Sequence, residues 1–520
     1  MNFYQVLKPR GKESCMQFKS TDRFRDRNII FLMICVSFLY LALQLFFLDT
    51  IPSVMVDEPW YANVGYNFSI GNGQVNTNPG SGVGTGVFLY TLLMGVFFKG
   101  VGISLFTARL FSVVGGLLGL IGVVCILAEL KVRQRVISFC CMLYIFSNVT
   151  YIIFRSVRPD GWILTFVIWG GFFLLTAMRS GKEVNFFLAG LFVSASFLCH
   201  PNGALYIFLF GIITLVHSWQ CKTPRYLLYY LLGCSIVFAC FCVNRVFVRK
   251  LELFSFVDKW LSRTSLGQDK VSPASVSIGQ NFFVFFENYT LGIKRIYIFI
   301  FEIGILIVGL FHYKKRSIFI ISLLGLCYFL LAIVFLKPFV TRHFGEIILF
   351  SIVSYGLLLQ LYENRRITYL FFCIIGGVYL VNNIAGDLYI IGKNYNQTSY
   401  SLIERKIDEI VPDQTKVLTL MHLWFPLKNN DNYNSYTRWR KKDYNSLDEL
   451  LDSGDLDYVV ISNYLTKGVT PTSGRKTNNR TINRYEKYYD KAHSYASANG
   501  SLIETVKSQN YGNIEIWQLR

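Results

Sequence analysis

Two adjacent carboxylates, Asp57 and Glu58, are the residues whose types and spacing most directly suggest chemistry. They follow the first long apolar segment by about nine residues, and ionisable groups placed where a membrane span ends usually have a function. Asp57 could act there as a base or an electrostatic anchor at a membrane-surface cavity. Apolar residues recur at helical spacing over 60–68, so Asp57 could also cap a helix along the membrane surface, with Pro59 in its first turn.

A second polar group consists of Arg155, Arg158 and Asp160, which follow a later apolar segment. Two arginines and an aspartate at one membrane boundary could clamp a lipid phosphate bidentately. The arginines could equally be interfacial anchors. The sequence pattern alone leaves both interpretations open.

A third group is basic and stands before a late apolar segment: Lys337, Arg342 and His343. If these cations lie on the outer face, they run against the usual preference of positive charge for the inner side, which favours anion binding. Glu346 could instead pair with Arg342. Two further candidates are an aromatic residue beside the carboxylates and a histidine that could be only a helix-end residue: Tyr61 and His200.

The composition indicates that a membrane must hold these groups. Of the 520 residues, 53% are hydrophobic and 17% aromatic, and the mean hydropathy is +0.39, which is too apolar for a soluble protein of this size. Runs that could cross a bilayer core of about 30 Å as helices predict about eleven spans. They cover 29–48, 103–128, 136–154, 161–178, 186–199, 204–218, 226–247, 293–311, 317–336, 345–361 and 367–390. The apolar segment 87–98 is too short to span and is predicted as a re-entrant or interfacial helix.

The charge pattern orients these spans. A formal net charge of +19 is explained by basic span ends on the inner side, and not by nucleic acid. With the N-terminus inside, every inner loop is basic: 131–135, 179–182, 222–225, 314–316 and 365–366. This topology places the Asp57 loop, the Arg158 loop, His200, the loop 248–292 and the Lys337 group on the outer face. We find no nucleotide-binding glycine motif in a strand and helix context.

The last part of the chain, 391–520, changes to a polar composition. Strands are predicted at 416–421, 457–462 and 513–519, and Ser446 is predicted to cap a short helix. None of the 12 cysteines follows residue 373, so disulfides cannot hold this part together. We therefore predict a cytoplasmic basic N-terminus at 1–27, a transmembrane domain at 28–390 and a small extracytoplasmic α/β domain at 391–520. The predicted location is a bacterial inner membrane.

Several of these stretches together resemble the GT-C glycosyltransferases. The closest branch is the dolichyl-phosphate-mannose-protein mannosyltransferase-like family, which contains protein O-mannosyltransferases and aminoarabinose transferases. The resemblance covers roughly 28–220 and follows one order: Asp57-Glu58-Pro59-Trp60-Tyr61-Ala62, a Gly/Pro loop, a short second surface helix over 88–100, Phe106-Thr107-Ala108-Arg109-Leu110, and Arg158-Pro159-Asp160. It implies a GT-C-like transmembrane domain with surface helices in its first outer loop.

The resemblance also implies an activity. Such enzymes take a sugar from a polyprenyl-phosphate donor on the outer membrane face and invert its anomeric carbon. Asp57 then corresponds to the catalytic carboxylate, and Glu58 supports it or pairs with a nearby cation. Arg158 and Asp160 would help hold the phosphosugar. The basic group Lys337, Arg342 and His343 would neutralise the phosphate, with Tyr61, Arg155 and His200 as possible further contacts.

The sequence also departs from that family. Aminoarabinose transferases tend to carry a further glutamate before the second surface helix, whereas this chain has Gly84-Thr85-Gly86-Val87. A metal site built from that glutamate is therefore not supported. No cofactor is predicted, and the question of a divalent metal stays open. The loop 248–292 is too short for the extra domain of eukaryotic O-mannosyltransferases, so a specific protein acceptor is not supported. The class of the acceptor, a glycan, a lipid or a protein, stays open.

Two other functions compete with glycosyl transfer. A transporter or flippase for a lipid-linked sugar would usually show internal repeats and charges at the bilayer midplane, whereas here the charges lie at span ends. A polysaccharide polymerase or ligase would place its chemistry on a large late outer loop, and 248–292 is long enough to keep that alternative open.

Overall fold

Apolar α-helices form the larger part of the chain in the computed structural model, which describes residues 27–54, 57–76, 88–244, 293–335, 345–434, 446–463 and 479–520. In chain order these helices are α1 (Arg27–Leu45), α2 (Asp57–Ser69), α3 (Phe88–Val101), α4 (Leu105–Glu129), α5 (Gln134–Ile145), α6 (Asn148–Phe154), α7 (Asp160–Ser180), α8 (Glu183–Cys199), α9 (Ala204–Gln220), α10 (Arg225–Val243), α11 (Ile293–Leu310), α12 (Arg316–Phe335), α13 (Gly345–Leu361) and α14 (Arg366–Asn394). The predicted outer loop 248–292 and most of the Gly/Pro loop before α3 lie outside the described residues.

Each predicted span corresponds to a helical element. By length and composition, 7 helices in the described part of the chain can cross a membrane, and the bent pair α5 and α6 raises this to 8. The three remaining predicted spans correspond to the shorter apolar helices α8, α11 and α13. The segment predicted as re-entrant or interfacial is the 14-residue helix α3, which packs on α2. The predicted polytopic helical fold is confirmed.

The predicted single span 136–154 is wrong in one respect, because it is broken into α5 and α6 with a bend of 62°. The amide of Asn148 donates to Asn383 Oδ1 on α14 at 2.9 Å instead of continuing the helical ladder. The Asn148 side chain donates to the carbonyl of Asn383 at 2.7 Å. Polar groups that insert into a helical ladder in this way bend the helix.

The C-terminal part forms a five-stranded sheet with the order β2-β1-β3-β5-β4. Its elements are α15 (Tyr400–Ile410), β1 (Lys416–Thr419), β2 (Asp431–Asn434), α16 (Leu447–Asp452), β3 (Tyr458–Ser462), α17 (Asn479–Asn499), β4 (Gly500–Ser508) and β5 (Gly512–Leu519). The strand β1 is parallel to β2 and β3, whereas β5 is antiparallel to β3 and β4. The three predicted strands are confirmed as β1, β3 and β5. Ser446 caps α16 by accepting from the amide of Glu449 at 3.1 Å, as predicted.

This sheet domain lies against the same end of the helical domain as Asp57. The amide of Val54, just before α2, donates to the Tyr511 hydroxyl at 2.7 Å. The Tyr66 hydroxyl on α2 donates to Asn429, and its ring lies 6.2 Å from that of Trp424. The segment that leads into Asp57 and the helix that follows it are therefore held from both the helical and the sheet domain.

Candidate active site

Asp57 is the first residue of α2 and lies beside Arg158. The Arg158 Nη1 donates to Asp57 Oδ2, and its Nε donates to Asp160 Oδ2 at 3.0 Å. The side chain of Asp57 is 45% exposed, whereas that of Arg158 is only 10% exposed. The guanidinium therefore lies beneath the surface and holds one oxygen of a carboxylate that solvent and a substrate can reach. This arrangement brings together the first and second polar groups predicted from the sequence.

The charge of Arg158 is balanced by two carboxylates. Burial by itself would lower the pKa of the Arg158 guanidinium, but the charges of Asp160 and Asp57 outweigh burial and raise that pKa. Arg158 is thus a permanent cation between two anions. Asp160 begins α7, where a carboxylate also interacts favourably with the helix dipole.

Glu58 lies behind this surface and is fully buried. Its two carboxylate oxygens accept from Arg109 Nε at 3.0 Å and Arg109 Nη2 at 2.9 Å. Its Oε1 also accepts from the amide of Val157 at 2.9 Å. Of the two roles predicted for Glu58, pairing with a cation is the one that the geometry displays, and the cation is Arg109. The pair connects α2, α4 and the loop that carries Arg158.

Arg155 is buried and differs from the predicted phosphate clamp. Its guanidinium donates to backbone carbonyls at the end of α1 and in the segment before α2: Leu43 at 3.2 Å, Gln44 at 2.7 Å, Phe46 at 2.6 Å and Ile51 at 3.0 Å. Carbonyls left over at a helix end need such donors. Arg155 therefore fixes the backbone segment that precedes Asp57, because its guanidinium donates to the carbonyls of that segment.

Aromatic rings form one wall beside the carboxylates. The rings of Trp60 and Tyr61 lie edge to face at 4.8 Å, and Tyr61 meets the buried ring of Tyr90 on α3 at 5.8 Å. Tyr61 is only 8% exposed. Aromatic pairs of this kind stabilise packing beyond their buried area. Tyr61 therefore joins the two surface helices and lies one turn along α2 from Asp57.

His200 lies at the junction of α8 and the short helical turn Pro201–Gly203. Its Nδ1 accepts from the amide of Asn202 at 3.3 Å, which is the helix-end role that the sequence also allowed. The third predicted group, Lys337, Arg342 and His343, lies outside the described residues. Among the residues that are described, no cluster of three His, Cys, Asp or Glu side chains could hold a metal ion.

Sequence reasoning missed Arg109, which positions the site, and a contact of Asp49 between the two domains. Arg109 is part of the motif quoted above, and a lone arginine inside an apolar span was a usable signal for a buried partner. Asp49 accepts from Ser399 and, at 2.9 Å, from Ser401 at the start of α15. No sequence pattern points to that contact, because it joins residues about 350 positions apart.

We predict that the contact of Glu404 on α15 with the helical domain depends on pH. It accepts from the amide of Leu105 at the start of α4 at 3.2 Å, and burial raises its pKa to about 7 from an ordinary value of 4.5. Because the pKa is raised in the folded state, the stabilisation is fully present below pH 4.5 and is lost as the pH rises through about 7. The free energy of unfolding of the full chain, measured by thermal unfolding at each pH, should therefore fall by about 3 kcal/mol between those limits.

The variant E404Q should remove this pH dependence, since an amide stays neutral. E409Q changes an exposed carboxylate on the same helix and should keep the dependence of the unaltered chain. An E404Q protein whose unfolding still follows pH as the unaltered chain does would contradict the assignment to Glu404.

No protein-family model matches the chain, and no curated protein matches its sequence. Solved structures do resemble it. ArnT from Cupriavidus metallidurans in the apo state has a TM-score of 0.59 at 11% identity, over 93% of this chain and 97% of that one. ArnT from the same organism bound to undecaprenyl phosphate has a TM-score of 0.56 at 11% identity, over 96% of this chain and 98% of that one.

A third similar structure is the oligosaccharyltransferase of Archaeoglobus fulgidus in complex with zinc and sulfate. Its TM-score is 0.50 at 12% identity, over 93% of this chain and 72% of that one. At such low identity a structural likeness establishes the fold alone. The likeness extends over the helical domain and the sheet domain together, as the coverage of both chains requires. The chain therefore has the fold of the GT-C glycosyltransferases.

Proposed function

We propose that this protein is an inverting glycosyltransferase, which moves a sugar from a polyprenyl-phosphate donor to an acceptor hydroxyl. The observation that carries the proposal is Asp57, a half-exposed carboxylate held by Arg158 at the start of a surface helix in this fold. A structure of the same fold, ArnT, was solved bound to undecaprenyl phosphate. A donor of that class keeps its lipid in the bilayer and brings its phosphosugar to the membrane face.

The chemistry assigns one step to Asp57. The acceptor oxygen forms a bond to the anomeric carbon of the sugar, and the bond from that carbon to the phosphate oxygen breaks. Polyprenyl phosphate leaves with the electron pair, and the acceptor proton passes to Asp57. Arg158 engages Asp57 through Oδ2, and within the described residues Oδ1 makes no hydrogen bond. That oxygen is the one we propose as the proton acceptor.

The departing phosphate gains negative charge and needs fixed cations. Arg158 is the described cation nearest to Asp57, and Lys337, Arg342 and His343 are further candidates. Because Arg158 already contacts two carboxylates, we propose that it primarily orients Asp57 and contributes to the phosphate as a shared positive charge. Glu58 and Arg109 act through position only, because both side chains are fully buried.

We further propose that the catalytic face is extracytoplasmic and that the protein lies in a bacterial inner membrane. The support is that each of the five loops predicted on the side opposite Asp57 is basic. The sheet domain, which contacts α2 through Asn429 and Trp424, would then border the acceptor site. The acceptor class stays a glycan, a lipid or a protein, and the donor sugar a hexose or a pentose.

The proposal is tested by transfer in proteoliposomes. The purified full chain is supplied with a radiolabelled sugar on polyprenyl phosphate, and a matched sample with a glycan on polyprenyl diphosphate. We expect label to leave only the monophosphate donor and the anomeric configuration to invert, as shown by NMR of the product. Consumption of the diphosphate-linked glycan alone would favour a polymerase or ligase. Movement of intact donor across the bilayer without bond cleavage would favour a flippase.

A further inference from the structure

An open cleft of about 640 Å³ lies between the ends of four helices, at 181–184 and 222–226. Its cationic lining residues are Lys182, Lys222 and Arg225. Cavities of this volume suit a small ligand. Neither the resemblance of the sequence nor the proposed transfer reaction uses this cleft.

The cleft lies on the membrane face opposite Asp57. Helix α7 begins at Asp160, beside Asp57, and ends at Ser180, so the turn at Gly181 is on the other side. Helix α10 begins at Arg225 in the cleft and runs back toward the face that carries Asp57. Just beyond its end, the Asn244 side chain donates to Gln74, near α2, at 3.4 Å. A ligand in the cleft is therefore separated from the candidate active site by the thickness of the helical domain.

The three cations of the cleft outnumber its acidic lining residues. Within the part of the chain that the structure describes, the side chains of Lys182, Lys222 and Arg225 make no ion pair and no hydrogen bond. One acidic residue, Glu183, lies among the lining residues. Unpaired cations grouped around a cavity create a positive potential there.

Three other arginines on the same face are paired. Arg133 and Arg135 contact Glu363, and Arg179 contacts Glu129 at 3.0 Å. A general excess of positive charge on the inner side explains all of these residues equally. It does not explain why three cations of this face surround one cavity.

Two helix N-termini add to the positive potential. Helices α8 and α10 both begin at the cleft, and neither has a side chain that caps its first amides. They pack backbone against backbone, since a Cβ at Gly190 would collide with the carbonyl of Tyr230 and one at Gly233 with that of Phe187. This close approach sets two parallel helix dipoles side by side with their positive ends at the same place.

We propose that this cleft binds a phosphate group, carried either by the headgroup of an anionic phospholipid in that leaflet or by a soluble phosphate. Basic pockets between transmembrane helices on the inner side suit phospholipid headgroups. Uncapped helix N-termini offer amide donors to the same oxygens. The exposed side chain of Val184 borders the cleft, so an acyl chain could extend from it along the helices.

The experiment uses the full chain in nanodiscs that contain photoactivatable phosphatidylglycerol or photoactivatable phosphatidylcholine, with crosslinked peptides identified by mass spectrometry. We expect phosphatidylglycerol to label the peptides that contain 181–184 and 222–226, and phosphatidylcholine to label them no more than the rest of the face. The triple variant K182Q/K222Q/R225Q should lower this labelling by at least about tenfold. The variant K314Q/K315Q/R366Q removes the same charge from the same face outside the cleft and should not change it.

A second arm uses the unaltered protein in detergent and measures acylation of Lys182 and Lys222 with and without millimolar inorganic phosphate. Protection of these lysines by phosphate, without selective lipid labelling, would assign the cleft to a soluble phosphate. Selective lipid labelling would assign it to a phospholipid. Uniform labelling over the face together with no protection would overturn the site, and both readouts on the unaltered chain remain decisive if the triple variant does not fold.

Discussion

Replacing Asp57 by asparagine is expected to lower the rate of sugar transfer by about 10²–10⁴-fold, the range in which a positioned general base contributes. Asparagine keeps the size of the side chain and an oxygen for Arg158 to contact, so the substitution removes the proton acceptor with little change in shape. The measurement is single-turnover transfer from a labelled polyprenyl-phosphate sugar by D57N in proteoliposomes. We expect kcat to fall and donor binding to change much less.

D49N is the matched control. Asp49 is a carboxylate on the same face that contacts Ser399 and Ser401 and lies outside the proposed chemistry. Its substitution should leave most of the transfer rate in place. A D57N protein with more than about a tenth of the original rate would remove Asp57 from the role of base, since a general base accounts for at least about 10²-fold.

Replacing Glu58 by glutamine is expected to destabilise the protein by about 3–5 kcal/mol, because it leaves the charge of Arg109 buried without a counter-charge. Both side chains of this pair have 0% exposure. R109M should cost a similar amount, since it leaves the Glu58 carboxylate buried without the guanidinium that balances its charge. The measurement is the free energy of unfolding of each variant in the same detergent.

The double variant E58Q/R109M measures the interaction energy of the two side chains apart from their other contacts. If the two charges interact as the geometry shows, the double variant should be less destabilised than the sum of the single variants, by about 1–3 kcal/mol. The partly exposed pair Arg179 and Glu129 is the control, and E129Q should cost about 1 kcal/mol or less. Additive single effects at Glu58 and Arg109 would show that the pair does not act as a unit.

The sequence predicts the helical part of this fold well because each span is a local property. A run of apolar residues either crosses a bilayer or does not, and the basic loops at 131–135 and 222–225 set the direction of the spans between them. The break between α5 and α6 is not local. It depends on Asn383, which is 235 positions from Asn148, and the apolar run itself contains no proline to mark it.

In the sheet domain as well, the sequence predicts strands with a local apolar pattern and misses strands without one. The apolar strand β3 is buried at every position, and its pattern predicts it. The strand β2 has the polar sequence DNYN, and β4 has only two buried positions among its nine, so neither carries a period that separates it from a loop. Both lie at the edges of the sheet, where side chains face water and hydrophobic patterning is weakest.

In the candidate site, the motifs predict individual residues but do not predict all of their partners. Asp57 and Arg158 were each identified by motif, and the structure brings them together across 101 positions. The partner of Glu58 could not be predicted with the same certainty, because any buried cation satisfies a buried carboxylate. Arg155 was only a possible phosphate contact, and its backbone carbonyl partners are not revealed by any residue type in the sequence.

A structure of the full chain with a bound polyprenyl phosphate tests the central claim most directly. We expect the phosphate on the membrane face that carries Asp57, with the carboxylate of Asp57 separated from it by about the width of one sugar and with Arg158 or the outer basic residues in contact. A phosphate on the opposite face, or more than about 20 Å from Asp57, which is farther than long side chains and a phosphosugar can bridge, would contradict the assignment of Asp57 to the transfer reaction.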